Sequence, residues 1–260
     1  MSAEAAEAAA HWGGASRLRL INDRENAVYE AWFPFGRAAL RLHRIGYQTE
    51  AAIRSELWWC AAMADAGAPV PRALPAQDGE MLKALSGGRM ASVIAWIDGP
   101  GFGEAGVPLQ GSRDEQVARF RAVGDLVARF HDATDALTLP DWFTRPRWDI
   151  EGLTGDQPFW GRFWDHPALT VEEAGVLLQA RAHVRAALQA HQARGGDFGL
   201  IHADVLRENV LMAPDEPKLI DFDDAGWGFR AYDLGTMMSQ TLYEPHLPHL
   251  AAALAEGYAA

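Results

Sequence analysis

The most restrictive feature of this sequence is a set of polar residues placed between short apolar runs near its C-terminal end. Residues 199–212 read GLIHADVLRENVLM, and residues 218–224 read KLIDFDD. Isolated polar groups cost free energy in apolar surroundings unless a partner satisfies them. The pattern predicts a loop between two buried strands, on which Asp204 and Asn209 converge, followed by a strand that ends in carboxylates.

The residue types of this pattern suit proton and metal chemistry. The carboxylate of Asp204 can accept a proton from a hydroxyl group, and the amide oxygen of Asn209 is a hard ligand of the kind that Mg²⁺ prefers. Asp221 and Asp223 are two residues apart, so an extended backbone would place both carboxylates on one face. Phosphate groups usually complete such a magnesium site. The alternative interpretation is that these aspartates and the asparagine only cap turns.

The order of predicted elements indicates two unequal parts. Residues 17–45 contain three short β-like runs separated by turn-rich segments, and a helix is predicted from about residue 49 to 66. Two further strands follow before residue 98. Beyond residues 98–103 the chain is mostly helical, with helices that begin at two capping boxes, Ser112 with Glu115 and Thr170 with Glu173. Residues 1–14 are predicted to be frayed or weakly helical.

These motifs resemble the aminoglycoside phosphotransferase and choline-kinase-like family. The family pattern is H-G-D-x-x-x-x-N, then a strand ending I-D-F/W, then Y-D-L/I-A, and this chain carries IHADVLRENVLM and LIDFDDAGWGFRAYDLG. The resemblance runs from about Arg17 onward. It implies an α+β, bilobal protein-kinase-like fold, with an N-lobe over residues 1–97 and a C-lobe over residues 98–260. The runs LRLHRIGY and DFDDAGWG are most similar to the bacterial stress-response and homoserine-kinase-like branches.

The resemblance also implies roles for the polar residues. Asp204 would be the base that orients the acceptor hydroxyl and takes its proton. Asn209 and Asp221 would bind Mg²⁺ on the phosphates of ATP. Asp223 would be either a second metal ligand or a structural residue.

Three more residues take their expected parts from the family pattern. His202 would pack under the catalytic loop, and Asp233 would anchor that loop from a following helix. Ala203 departs from the family, which usually has glycine there. Alanine is expected to be tolerated if its backbone keeps a negative φ.

A kinase-like N-lobe needs a cation on its third strand and a helix carboxylate to hold it. Arg41 stands where kinases have lysine, and Glu56 on the following helix is its expected partner. By strand parity Ala39 shares the face of Arg41, where an adenine ring can lie on its small side chain. The alternative is an exposed strand arginine with an unrelated glutamate. Neither lysine of the chain, Lys83 or Lys218, is placed to replace Arg41.

Other candidate contacts are less well defined by sequence. Asn22 and Asn26 lie in a polar loop at the place of the phosphate-covering loop, and Trp96 lies where a hinge would flank the adenine. Four tryptophans either line an acceptor pocket or cover a core; they are Trp142, Trp148, Trp160 and Trp164.

Composition narrows the classes of protein. A formal charge of −12 argues against a nucleic-acid-binding surface. The single Cys60 excludes an internal disulfide and fits a reducing cytoplasm. The sequence has neither a signal-peptide pattern nor an apolar run long enough for a membrane span.

Taken together, the sequence predicts a cytoplasmic kinase that uses ATP and Mg²⁺ and acts on a small molecule with a hydroxyl group, without a nucleic-acid or membrane partner. The alternatives are a non-catalytic nucleotide-binding scaffold and a protein serine/threonine kinase. The family usually continues for some tens of residues beyond the last one here, so a truncated acceptor pocket is also expected. The identity of the acceptor and the oligomeric state stay open.

Overall fold

The computed structural model describes residues 2–260, and within them the chain forms an antiparallel sheet followed by a mostly helical part. The seven α-helices of this region are α1 (Ala3–Ala10), α2 (Glu50–Asp65), α3 (Arg113–Asp135), α4 (Ile150–Thr154), α5 (Val171–Ala193), α6 (Ala231–Ser239) and α7 (Leu247–Tyr258). Its strands are β1 (Arg17–Asp23), β2 (Ala27–Phe33), β3 (Gly36–Leu42), β4 (Ala73–Leu74), β5 (Lys83–Ala84), β6 (Met90–Ala95), β7 (Arg147–Trp148), β8 (Phe198–Ile201), β9 (Val210–Met212), β10 (Pro217–Leu219) and β11 (Gly226–Phe229).

The N-terminal sheet confirms the predicted meander. Its strand order is β1-β2-β3-β6-β4, all pairs are antiparallel, and β5 pairs with β6 beside this path. Gly36 opens β3 with a φ of 128°, a backbone conformation that glycine adopts without a Cβ clash. The sheet and α2 form the N-lobe, and the division of the chain at residue 97 stays a prediction.

The two faces of β3 contact different parts of the protein. Leu40 and Leu42 point into an apolar core, whereas Ala39 and Arg41 line a cleft on the other face. This alternation follows from the two-residue repeat of a strand. The sequence therefore places a buried cation on the cleft side of the sheet.

Of the two alternatives predicted for the N-terminal segment, frayed or weakly helical, the structure shows the helical one, and the helix packs against the sheet. Helix α1 buries Ala5, Ala8 and Ala9 in the same core as Leu40, and Trp12 follows it into that core. The indole of Trp12 donates to Leu74 O at 2.9 Å. The alanine-rich sequence of α1 has no large apolar side chains to mark a buried face. The stability of this helix depends on its packing against the sheet, which the local sequence does not show.

The C-lobe is built on two long helices and three small strand pairings. Helices α3 and α7 cross closely, because a Cβ at Gly124 would lie 2.1 Å from Leu254 O and one at Gly257 would lie 2.0 Å from Arg121 O. Strands β7, β11 and β8 form one sheet, and β9 pairs with β10 in a hairpin. Both predicted capping boxes are present, at the starts of α3 and α5.

Helix α2 joins the two lobes. Thr49 caps it by accepting from Ala52 N at 3.2 Å. Trp59 and Met63 of its C-terminal half belong to the largest apolar core, with Phe130 of α3 and Phe222 of the C-lobe. Shared burial of this kind fixes the helix, and with it Glu56, relative to the C-lobe.

None of the helices within residues 2–260 combines the length and the apolar character that a bilayer span requires.

Candidate active site

The loop between β8 and β9 is held from below by a single buried carboxylate. Asp233 at the start of α6 accepts from Ala203 N at 2.7 Å, from His202 N at 2.8 Å and from His131 Nε2 at 3.0 Å. Several hydrogen bonds to one carboxylate compensate the cost of burying it. These contacts fix the backbone just before Asp204.

His202 braces the same loop from inside the protein. Its Nε2 donates to Ile220 O at 3.0 Å, and its Nδ1 accepts from Asp204 N at 3.3 Å. Burial lowers the pKa of His202, although the charges of Asp233 and Asp221 act in the opposite direction. A neutral imidazole with one donor and one acceptor satisfies both contacts. The side chain thus ties the catalytic loop to the segment that carries Asp221.

Ala203 adopts a left-handed backbone, with a φ of 64°. The condition under which alanine was expected to be tolerated, a negative φ, is therefore not met. This conformation costs a residue with a Cβ roughly 1–2 kcal/mol and is free for glycine. The two hydrogen bonds from this segment to Asp233 hold the strained turn in place, which explains how alanine is accommodated.

Asp204 and Asn209 converge on the loop between β8 and β9. Asn209 Nδ2 donates to Asp204 Oδ2 at 2.7 Å and to Asp204 O at 3.0 Å. Because the amide nitrogen is used in this way, the amide oxygen of Asn209 is left for another partner. Burial, reinforced by the charges of Asp224 and Asp221, raises the pKa of Asp204 to about 7.

Asp221 also has a left-handed backbone, with a φ of 67°. Its side chain is 51% exposed and lies in the cleft, 4.0 Å from Arg41 Nη2. Desolvation by the surrounding protein raises the pKa of Asp221, although the charge of Arg41 acts in the opposite direction. The left-handed turn interrupts the extended backbone that was expected here, but both carboxylates still approach Nη2 of Arg41, and Asp221 is the more exposed of the two.

Asp223 turns inward instead. Its carboxylate contacts the guanidinium of Arg41 and the amide of Asn26, and the residue is only 9% exposed. Asn26 in turn accepts from Arg44 N at 2.9 Å. Of the two alternatives for Asp223, these contacts favour the structural one. Asn26 was expected to contact ATP, but its side chain is hydrogen-bonded to Asp223 of the C-lobe and to the backbone of Arg44.

Arg41 and Glu56 form a buried ion pair between β3 and α2. Arg41 Nη1 donates to Glu56 Oε1 at 2.7 Å, and the exposures of the two side chains are 5% and 1%. Burial acts to raise the pKa of Glu56, but the charges of Arg41 and Arg145 outweigh it and hold that pKa below its usual range. The two lysines pair elsewhere: Lys83 contacts Asp78, and Lys218 Nζ lies 2.9 Å from Asp215.

An apolar cleft of about 250 Å³ opens between the sheet and the C-lobe. Its walls come from both lobes: Ile21, Val28, Ala39, Arg41, Pro71, Ile94, Ala95, Trp96, Ile97, Gly99, Leu211, Ile220 and Asp221. A flat, mostly apolar slot that ends in charged groups suits an aromatic base with a charged tail. Trp96 follows β6 at the hinge position. Asn22 is exposed on β1 and does not line this cleft.

A second, acidic cavity of about 260 Å³ adjoins the first through Asp221. Its lining residues are Arg24, Glu25, Tyr47, Trp160, Asp204, Leu206, Asp221, Asp223 and Asp224. Five of these are carboxylates and one is a cation. Such a lining favours a positively charged occupant or a metal-bound one.

The sequence interpretation missed several residues of this cavity. Tyr47 donates from its hydroxyl to Asp224 Oδ1 at 2.6 Å, and burial raises the pKa of Asp224. Asp224 was visible as the third acid of the DFDD run, whereas Tyr47 and Arg24 have no motif around them. Their place in the site follows only from the fold.

The four tryptophans have different surroundings. Trp160 lines the acidic cavity and is 59% exposed. Trp148 is buried and donates to Asp224 O at 2.7 Å. Trp164 is buried beneath Arg181, and Trp142 packs edge-on against Trp58. Only Trp160 of this group therefore faces the acidic cavity directly.

A magnesium ion would need ligands beyond the protein. Within residues 2–260 no group of three or more histidines, cysteines, aspartates and glutamates is arranged to hold a metal. Asn209 and Asp221 supply one amide oxygen and one carboxylate, and phosphate oxygens are the usual further ligands of Mg²⁺. The donor set fits a metal that arrives with a polyphosphate.

The fold is the bilobal, protein-kinase-like fold of the phosphotransferases. The chain belongs to the phosphotransferase enzyme family, whose model matches residues 17–260.

Solved structures of similar proteins share the fold. A microcompartment-associated aminopropanol kinase has a TM-score of 0.82 and 30% identity, over 98% of this chain and 79% of that one. An amicoumacin kinase solved with AMP-PNP, Ca²⁺ and its ligand has a TM-score of 0.72 and 20% identity, over 93% of this chain and 72% of that one. The likeness to the second protein concerns the fold.

Curated relatives include a homoserine kinase of Sinorhizobium medicae, 29% identical over 185 residues, which are 70% of this chain and 50% of that protein. A protein of Deinococcus radiodurans is 31% identical over 203 residues, 76% of this chain and 54% of that protein. The chain thus spans about half the length of these relatives.

Proposed function

We propose that this protein transfers the γ-phosphate of ATP to a hydroxyl group of a small molecule that also carries a positively charged amine. One observation carries the proposal: the apolar cleft and the acidic cavity meet at Asp221, and Asp204 lines the acidic one. A nucleotide in the first cavity points its phosphates at Asp221. An acceptor in the second presents its hydroxyl to Asp204.

The residues divide the work as follows. Ala39 and the hinge at Trp96 flank the base. Asn209 and Asp221 would hold Mg²⁺, which when bound neutralises charge on the phosphates and orients them. Asp204, positioned by the amide of Asn209, accepts a hydrogen bond from the acceptor hydroxyl. It takes the proton as the acceptor oxygen bonds to the γ-phosphorus and the bond from that phosphorus to the β–γ bridging oxygen breaks, which releases ADP. With a pKa raised to about 7, Asp204 is a better proton acceptor than an ordinary aspartate.

Arg41 has a supporting part in this scheme. It lines the nucleotide cleft while Glu56 and Asp223 hold it from behind. Arginine can grip a phosphate with two parallel hydrogen bonds, but its planar group must be oriented to do so. The two carboxylates supply that orientation, and the guanidinium supplies positive charge at the phosphates.

The amine of the acceptor is inferred from the lining of the acidic cavity. Glu25 and Asp224 lie beside the aromatic faces of Tyr47 and Trp160. Carboxylates with aromatic rings form a favourable site for an ammonium group. The solved neighbour with 30% identity is named as an aminopropanol kinase, and aminopropanol combines an amine with a hydroxyl.

A panel of acceptors tests the proposal. Purified protein with ATP and Mg²⁺ is incubated with aminopropanol, homoserine, choline, an aminoglycoside and a serine-containing peptide, and phosphorylated products are measured directly. Propanediol is the matched control, because it replaces the amine of aminopropanol by a hydroxyl. We expect transfer to an amine-bearing acceptor and at least tenfold less to the diol, since a hydrogen bond to a charged group contributes about 1.5–3 kcal/mol and about 1.4 kcal/mol corresponds to tenfold.

Two results would contradict the proposal. Tight nucleotide binding without transfer to any acceptor favours the non-catalytic scaffold, and transfer to the peptide alone favours a protein kinase. Asp204→Asn serves as the background control in each assay, because it keeps the shape of the side chain and removes the proton acceptor.

A further inference from the structure

Arg145 is a completely buried arginine that lies outside both cavities. Its side chain has 0% exposure, and it comes from the segment between α3 and β7. A buried guanidinium is costly unless hydrogen bonds and charges compensate it. The partners of Arg145 therefore show what the residue is for.

Its partners belong to two separate functional elements. On one side, Nη1 donates to Ala52 O of α2 at 2.9 Å and lies 3.6 Å from Glu56 Oε2. On the other side, Nε donates to Ala225 O at 2.6 Å, and Nη2 donates to Phe222 O and Asp223 O at 2.8 and 2.7 Å. The guanidinium thus spans from the helix of Glu56 to the turn that follows Asp221.

The chain on either side of Arg145 strengthens the bridge. Thr144 N donates to Ser55 Oγ on α2 at 2.9 Å, and Pro146 O accepts from Trp227 N of β11 at 2.9 Å. Residues 144–146 are therefore hydrogen-bonded to α2 on one side and to β11 on the other. This geometry leaves the guanidinium little freedom to choose other partners.

We propose that Arg145 is a positioning residue for phosphotransfer, which fixes the spacing between α2 and the 222–225 turn. That spacing decides whether Arg41 reaches Glu56 and Asp223 together and whether Asp221 faces the nucleotide. The inference rests on the proposed kinase function, but it concerns the assembly of the nucleotide site and not the choice of acceptor.

The charges around Glu56 also support a positioning role for Arg145. Glu56 lies between two arginines: its Oε1 accepts a hydrogen bond from Arg41 Nη1 at 2.7 Å, and Arg145 Nη1 lies 3.6 Å from its Oε2. Oε2 makes no hydrogen bond within residues 2–260. Loss of Arg145 would leave Glu56 to Arg41 alone and would leave four backbone carbonyls without their donor, so both α2 and the turn are expected to shift.

Arginine is required at this position because of the geometry of its hydrogen-bond donors. Its planar group offers five N–H donors in a fixed fork, whereas lysine offers three donors around one point. Lysine at position 145 can keep the charge near Glu56 but cannot reach carbonyls on both elements. Lysine is therefore expected to rescue part of the function and methionine none.

The experiment compares Arg145→Lys and Arg145→Met with a control of matched instability, Leu250→Ala. Leu250 is buried on α7 and lines neither cavity, so its truncation removes core packing without removing a group that lines the nucleotide site. For each variant we measure the melting temperature, the dissociation constant of ATP with Mg²⁺ in the absence of acceptor, and the KM for ATP where turnover is present.

We expect Arg145→Met to weaken ATP binding by roughly 10–100-fold, with Arg145→Lys in between and Leu250→Ala close to wild type. A folded Arg145→Met that binds ATP as wild type does, or a Leu250→Ala that weakens binding equally, would overturn the proposal. If the methionine variant does not fold, Arg145→Lys decides alone: an unchanged dissociation constant rejects the positioning role. Because binding is read without an acceptor, a failure of phosphotransfer in the wild type would remove the proposed function and leave this test intact.

Discussion

Arg41 of β3 and Glu56 of α2 form a buried pair at 2.7 Å, although protein kinases have lysine where this chain has arginine. The longer side chain also contacts Asp223, so one guanidinium joins the sheet, the helix and the C-lobe. Lysine has the length to reach Glu56 but presents a single point charge. The substitution therefore changes how the lobes are joined as well as how phosphate is bound.

Arg41→Met is expected to lose about 3–5 kcal/mol of unfolding free energy, because it leaves buried carboxylates without their partner. It should also raise the KM for ATP. Arg41→Lys is expected to recover part of the stability, since it restores the charge beside Glu56 without the contact to Asp223. Denaturant unfolding and ATP titrations provide both measurements. An Arg41→Met variant with wild-type stability would show that the pair contributes nothing.

Much of this site follows from local sequence patterns, and the rest depends on tertiary packing. The HADVLREN and LIDFDD runs predicted that Asp204, Asn209 and Asp221 converge, because short apolar strands place the following polar residues at a common edge. In the structure Asp204 and Asp221 line one cavity, and Asn209 is hydrogen-bonded to Asp204. Strand parity placed Ala39 and Arg41 on one face. These inferences need only the two-residue repeat and a turn.

Other residues could not be placed in this way. The left-handed backbone of Asp221 departs from the extended strand that the parity argument assumed, and the sequence could not show that Asp223 is held by Arg41 and Asn26. Asn26 was assigned to phosphate because nothing in its own loop indicates a partner 197 residues later. Arg145 has no motif at all, and its role follows only from the carbonyls that surround it.

The pKa of Asp204 predicts the pH dependence of turnover. As base, Asp204 must be ionised, so kcat/KM is expected to rise with pH towards about 7 and then level off. Burial is the main cause of this raised pKa, and the charge of Asp224 adds to it. Asp224→Asn should therefore move the rising limb of the profile to lower pH. A limb that stays in place would show that another group controls the rate.

The same pKa predicts how stability depends on pH. Asp204 binds its proton more tightly in the folded chain, with a pKa of about 7 against an ordinary 3.8. Over that window the folded state holds more protons than the unfolded one, so this residue lowers stability as pH rises. Asp204→Asn should remove this contribution. The melting temperature of the variant should therefore change less with pH than that of the wild type between about pH 4 and 7, the window between the two pKa values. An unchanged slope would contradict it.

Ala203→Gly is expected to relieve the left-handed strain at φ 64°. The gain of about 1 kcal/mol is partly offset by the greater freedom of glycine in the unfolded chain. The net effect on the melting temperature should be neutral or slightly stabilising. Ala203→Val is the matched comparison, because a β-branched residue tolerates this conformation worst and should destabilise. Equal effects of both substitutions would mean that the backbone here is not strained.

Asp233→Asn tests whether the catalytic loop depends on one carboxylate. The aspartate accepts from Ala203 N, His202 N and His131 Nε2, and it is fully buried. An asparagine has one acceptor oxygen and presents an amide N–H₂ to at least one of these donors. Two facing donors cannot share a hydrogen bond, so a buried donor is left unsatisfied at a cost of about 1–3 kcal/mol.

Asp233→Asn should also alter the position of the catalytic loop that carries Asp204. Because the two backbone donors lie just before Asp204, Asp233→Asn is expected to lower kcat while the affinity for ATP, set mainly by the other lobe, changes little. Asp132→Asn is a suitable control, since Asp132 is an exposed aspartate on α3 and the substitution removes the same charge. Thermal unfolding, ATP binding and turnover of the two variants separate a loop effect from a charge effect. If both variants lose kcat to the same extent, the loss comes from charge and the anchoring role of Asp233 is wrong.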